Sequence, residues 1–176
     1  MPATLPHIDI NHIPADDFQG VGRVAVAWSY LEGAVERIAW VCSGITEDQG
    51  ICFTTHAGVK NRYNSSLALL NHELPGAAPT LALKALDNEI NQLYGRRNEI
   101  VHSRVHYLPG TSPSLRRVYK ARGSIKSETL PIDPAEYEAV TNEIIAATNK
   151  VMDIMNDAIS LFTQKRGAPP PWPDRP

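Results

Sequence analysis

Apolar residues recur in the first part of the chain at Val21, Val24, Trp28, Leu31, Val35, Ile38 and Cys42, in alternating steps of three and four. That rhythm is the repeat of one helix face, so it predicts a helix over about 16–43. Val59, Tyr63, Leu67 and Leu70 predict a second over about 54–73, although Gly58 and the polar stretch Asn61–Ser66 dilute its signal. Leu83, Leu86, Ile90 and Leu93 predict a third over about 80–103. The fourth has the strongest start: Asp133 as N-cap, Pro134 in the first turn, Glu136 completing a capping box, and Ile132 stapling onto Tyr137. Its apolar face is Tyr137, Ile144, Val151, Met155, Ala158 and Phe162, with Thr141 and Thr148 set into the same stripe.

Turn residues divide these segments. Val105–Leu108 and Leu115–Ala121 flank Pro-Gly-Thr-Ser-Pro-Ser and read as a short β-hairpin before the last helix. Pro2, Pro6 and Pro14 keep residues 1–15 extended, and five prolines after Gly167 read as a polyproline tail over 167–176. The expected architecture is an all-α, four-helix domain over 16–166 with that small hairpin as an excursion.

Composition narrows the function classes. The chain has 176 residues, 43% hydrophobic and 20% charged, enough for one domain with its own core. Two cysteines, Cys42 and Cys52, exclude a disulfide framework, and no Cys-x-x-Cys pair points to zinc. His7 and His12 lack a third ligand, so no metal or cofactor is expected. No apolar run approaches a membrane span and the first residues do not resemble a secretion signal, so the expectation is cytoplasmic, without a membrane partner. The net charge of −2 conceals a strong local asymmetry. Residues 96–126 hold Arg96, Arg97, Arg104, Arg116, Arg117, Lys120, Arg122 and Lys126 against one acid, Glu99. Such a block, with His106, Tyr107 and Tyr119 interleaved, suits a nucleic-acid backbone and its unpaired bases. The alternative is a solvated face balancing acids on neighbouring helices.

The chemistry centres on the end of the third helix. Its stripe of 83, 86, 90 and 93 continues to 97 and 100, so Arg97 falls where an apolar residue belongs. A charge there needs an anion, a carboxylate or a wet cleft. Asn91, Gly95, Asn98 and His102 form a polar shoulder beside that stripe, and Gly95 invites close approach by another helix. A plain structural account pairs Arg97 with Glu32 or Glu36 of the first helix and leaves His102 at a helix end, where a cation is favoured.

The run Tyr94-Gly-Arg-Arg-Asn-Glu-Ile-Val-His102-Ser, late in an amphipathic helix, resembles the signature of HEPN-type domains (higher eukaryotes and prokaryotes nucleotide-binding). That signature is an arginine, often followed by a polar residue, with four to six residues before a histidine. Arg97, Asn98 and His102 match it, and the resemblance covers roughly 16–165. It implies a homodimeric, metal-independent endoribonuclease in which two such motifs face one another. His102 would then serve as general acid or base for attack of an RNA 2′-hydroxyl, Arg97 would hold the phosphate, and Asn98 would orient His102 or bind a phosphate oxygen. Arg96, Arg104, Arg116, Arg117, Lys120 and Arg122 would track the RNA. The resemblance also implies a toxin or defence role, with an antitoxin or regulatory protein as partner. Some ribonuclease members carry a tyrosine two residues after the histidine, where this chain has Arg104. Other members are non-catalytic modules that bind nucleotide, RNA or a protein, which is the alternative reading.

Overall fold

The computed structural model describes residues 15–106, 115–121 and 125–167. Residues 1–14 of the segment expected to be extended, the proline-rich tail from 168 onward, Arg122 and the expected hairpin turn lie outside the described residues. The chain is predominantly helical: α1 (Ala15–Ser43), α2 (Glu47–Thr54), α3 (Val59–Glu73), α4 (Ala78–Ala85), α5 (Asp87–Val101) and α6 (Pro134–Arg166). Between α5 and α6 the backbone pairs as β1 (Arg104–His106), β2 (Leu115–Ala121) and β3 (Ile125–Pro131), antiparallel in the order β1-β2-β3.

The two longest stripes form the centre. Val24, Trp28, Leu31, Val35, Ile38 and Cys42 of α1 are buried, as are Tyr137, Ile144, Val151, Met155, Ala158 and Phe162 of α6. The helices lie side by side with their N-terminal ends together, where Gly20 packs on Tyr137: a Cβ at residue 20 would sit 2.3 Å from Tyr137 Cδ2. The Asp133 side chain caps α6 by accepting from the Ala135 N–H at 3.0 Å, and Ile132 and Tyr137 are both buried there. Thr141 and Thr148 are tolerated in the stripe because each hydroxyl donates to its own helix, to the carbonyls of Tyr137 and Ile144 at 2.8 Å. With Val26, Tyr30 and Ile145 they line an apolar groove of about 730 Å³ between α1 and α6.

Two expectations need correction. The second predicted helix is preceded by a separate one, α2, which a capping box starts. Thr46 Oγ1 accepts from the Gln49 N–H at 3.4 Å, and Gln49 Oε1 accepts from the Thr46 N–H at 3.0 Å. Before it, Gly44 at φ +66° ends α1. The third predicted helix is two, because the chain turns at Leu86, whose N–H donates to the Leu83 carbonyl at 3.1 Å rather than one residue further back. Buried Tyr63 of α3 donates its hydroxyl to the same carbonyl. A four-helix count therefore becomes six helices among the described residues.

The intervening helices close around the pair. α3 crosses α1, with Ser66 Oγ donating to the Val35 carbonyl at 2.7 Å and Arg62 pairing with Glu36 at 3.0 Å. α5 runs opposite to α6: Glu89, near its start, pairs with Lys150 at 2.8 Å, and Arg96, near its end, pairs with Glu143. No helix among the described residues is long and apolar enough to cross a membrane.

The Gly20 contact makes a directional prediction. Gly20→Ala will lower the thermal stability by roughly 1–3 kcal/mol through overpacking on Tyr137. Gly22→Ala, where nothing lies within 4 Å, will raise it by roughly 0.5–1 kcal/mol. Equal effects in thermal melts would refute the packing.

Tyr63 makes a second. Burial first, then the charge of Asp87, pushes its phenol from 10 up to about 12. The folded state thus keeps this proton when the unfolded chain has lost it, so the associated stability is complete below pH 10 and disappears as pH rises from 10 through about 12. Denaturant melts across that window will show the advantage of wild type over Tyr63→Phe shrinking with rising pH. A constant difference would remove the effect.

Candidate functional site

The site grows from the last two turns of α5. Leu93 and Ile100 are buried on its inner stripe, and Arg97 stands between them at steps of four and three, only partly exposed. The guanidinium is held by neutral groups: Arg97 Nη1 donates to Asn98 Oδ1 at 2.9 Å and lies 3.0 Å from His102 Nε2. Its buried Nε has no hydrogen-bond partner among the described residues.

On a continuous helix Arg97 and His102 would point about 140° apart. They meet at the end of α5, which stops at Val101. His102 is its C-cap, at φ −103° and ψ 2°, outside the regular helical conformation. The His102 N–H still donates to the Asn98 carbonyl at 3.0 Å, so Asn98 ties the arginine through its side chain and the histidine through its backbone. Ser103 Oγ donates to the Ile100 carbonyl at 2.9 Å and satisfies another group at this helix end. Arginine has no acceptor, so its bond to His102 requires a neutral imidazole with a bare Nε2 and the proton on Nδ1.

The carboxylates proposed to neutralise Arg97 are engaged elsewhere. Glu36 pairs with Arg62, each side chain 14% exposed, and Glu32 Oε1 accepts from Trp28 Nε1 at 2.9 Å. No ion pair among the described residues reaches Arg97. A partly buried guanidinium bonded to an amide and an imidazole keeps its full charge, and an arriving anion gains both the charge and a planar donor edge.

The polar shoulder is also in place. Asn91 donates to the Asp87 carbonyl at 2.8 Å and to Asp87 Oδ1 at 3.1 Å. Gly95 meets nothing within 4 Å of where a Cβ would stand, so the close helix approach expected there does not occur among the described residues. Of the predicted RNA contacts, Arg96 is paired with Glu143 of α6, an exposed pair of a kind contributing about 0–1 kcal/mol. Arg104, Arg116, Arg117 and Lys120 belong to the strands, with Arg104 in register with Arg117, Arg116 with Val105, and Lys120 with Lys126. β1 begins two residues beyond His102, so this basic stretch continues directly from the site.

One residue was used in the sequence only as part of the motif. Tyr94 lies one turn before Arg97 and Asn98, and its ring packs against Trp28 with centroids 5.9 Å apart and planes tilted by 41°. The i, i+3 and i, i+4 spacing was its available signal. The groove between α1 and α6 includes none of Arg97, Asn98 and His102. Cys42 is buried and Cys52 exposed, both unbridged, and no group of three potential metal ligands occurs among the described residues. Comparison with protein-family models, curated proteins and solved structures finds no match in any of the three.

The Gly95 flank can be tested by itself. Gly95→Ala will raise the melting temperature, by the equivalent of roughly 0.5–1 kcal/mol, since a helix interior gains from alanine where space is free. A lower melting temperature would show that another chain packs on this flank in solution.

Proposed function

We propose that the chain is a HEPN-like, metal-independent endoribonuclease that acts as a homodimer, with Arg97, Asn98 and His102 at its centre. The observation that carries this reading is the Arg97 guanidinium, held by Asn98 and His102 with no carboxylate paired to it among the described residues. A phosphodiester supplies the missing anion. As it draws the guanidinium to itself, Nε2 of His102 is released and can take the proton of the adjacent 2′-hydroxyl. The 2′-oxygen then bonds to phosphorus while the bond to the 5′-oxygen breaks, leaving a 2′,3′-cyclic phosphate and a 5′-hydroxyl. His102 of a second copy, protonated from solvent once its own Arg97 has turned away from it, gives a proton to the departing 5′-oxygen, and exchange with solvent resets both imidazoles. Arg97 stabilises the charge that develops on phosphorus-bound oxygens, and Asn98 holds both partners in place. A nucleophile belonging to the substrate means that such a site needs none of its own. The basic residues Arg96, Arg104, Arg116, Arg117, Lys120 and Arg122 bind flanking phosphates, and an intracellular toxin or defence effector restrained by a protein partner is the role this reading implies.

The second reading, a non-catalytic dimeric module that binds RNA, nucleotide or a protein, is favoured by one observation. The lone pair that a base needs is already occupied by Arg97.

Cleavage of mixed RNA in excess EDTA separates the two. Wild type will cut and leave cyclic-phosphate ends, while His102→Ala will be slower by about 10²–10⁴-fold. RNA binding that depends on Arg97, with no cleavage by either protein, would establish the binding module. Replacing Arg116, Arg117 and Lys120 together with glutamine will weaken RNA binding and reduce the salt slope by up to about two. An unchanged slope would remove the strands from the RNA path.

A further inference from the structure

We propose that Tyr94 is a stacking platform for a nucleobase beside the Arg97 site, and that the site therefore selects single-stranded RNA over duplex. The inference rests on reading Arg97 as a phosphate site and adds the part of the nucleotide that a phosphate contact alone does not recognise.

Tyr94 is 43% exposed, in a helix whose Ile90, Leu93 and Ile100 are buried. Beneath it is a rigid floor. Trp28 is 1% exposed, and its indole N–H is fixed to Glu32 at 2.9 Å. The tyrosine ring packs on that floor and keeps part of its surface open to solvent. Arg97 and Asn98 follow by three and four residues, the spacing at which helix side chains are neighbours, with Cβ atoms about 5–6 Å apart. Gly95, beside Asn98 on the helix surface, has no side chain, and nothing lies within 4 Å of where its Cβ would stand. An exposed ring on a fixed support, a charged phosphate anchor one turn away and a cleared flank fit one sugar-phosphate unit with its base turned onto the ring. In a duplex the base faces are already stacked, so only an unpaired base can use the platform. Every base has such a face, so the preference is for single strands and not for one sequence.

The test is anisotropy of a labelled single-stranded 2′-O-methyl oligonucleotide, which lacks the attacking hydroxyl, compared with its abasic counterpart and its duplex on the full chain. Wild type will bind the base-bearing strand roughly 5- to 150-fold more tightly than the abasic strand. Tyr94→Phe will keep that ratio. Tyr94→Leu, which retains apolar cover over Trp28, will bring it towards one by weakening only the base-bearing strand. Arg97→Ala will weaken both strands and leave the ratio standing. A ratio unchanged in Tyr94→Leu, or a duplex bound as tightly as the single strand, overturns the platform while the phosphate reading survives. A ratio that falls in Tyr94→Leu with both affinities intact in Arg97→Ala supports the platform and overturns Arg97 as the phosphate anchor. Failure of wild type to bind either strand overturns both.

Discussion

The parallel packing of α1 on α6 is the constraint from which the other placements follow. Two helices of 29 and 33 residues share their N-terminal ends, locked where the Tyr137 ring occupies the space a side chain at Gly20 would need. Parallel neighbours require a return, so the chain between them must travel back along the pair. α5 makes that return in the opposite direction to α6, fastened by Glu89 to Lys150 and by Arg96 to Glu143. Its inner stripe is thereby pressed to the bundle while its C-terminal end emerges at the surface, and this is why Arg97 is half-covered and His102 exposed.

That position makes the charge of Arg97 consequential. A carboxylate within the chain would have neutralised it, and α1 supplies two candidates on the neighbouring face. Each has another partner: Glu36 pairs with Arg62 of α3, and Glu32 accepts from the indole of Trp28. Among the described residues the arginine meets an amide oxygen and an imidazole nitrogen, acceptors that orient a guanidinium without cancelling its charge. The Trp28–Glu32 bond also stiffens the support under Tyr94.

Periodicity made the long elements legible. The stripes of α1 and α6 are buried as their spacing implies, because a helix of that length buries one face whatever its neighbours are. Shorter elements were not legible to the same degree. The Thr46–Gln49 box that starts α2 is written in the chain, but an eight-residue helix with one buried position has too little stripe to reveal itself. The break at Leu86 was invisible, since Leu83, Leu86 and Ile90 keep helical spacing on both sides of it and the turn takes shape around a carbonyl shared with distant Tyr63.

The site divides along the same line. The sequence by itself determined that a cation would stand on an apolar stripe, with an amide beside it and an imidazole five residues on, because those are facts of residue type and helical repeat. The tertiary structure decided which groups Arg97 touches. The helix ends at Val101 with His102 in reach of Arg97, and packing against α3 pairs Glu36 with Arg62. Local repeat places a residue on a face, whereas its partners depend on which distant helices arrive at that face first, and no spacing rule contains that information.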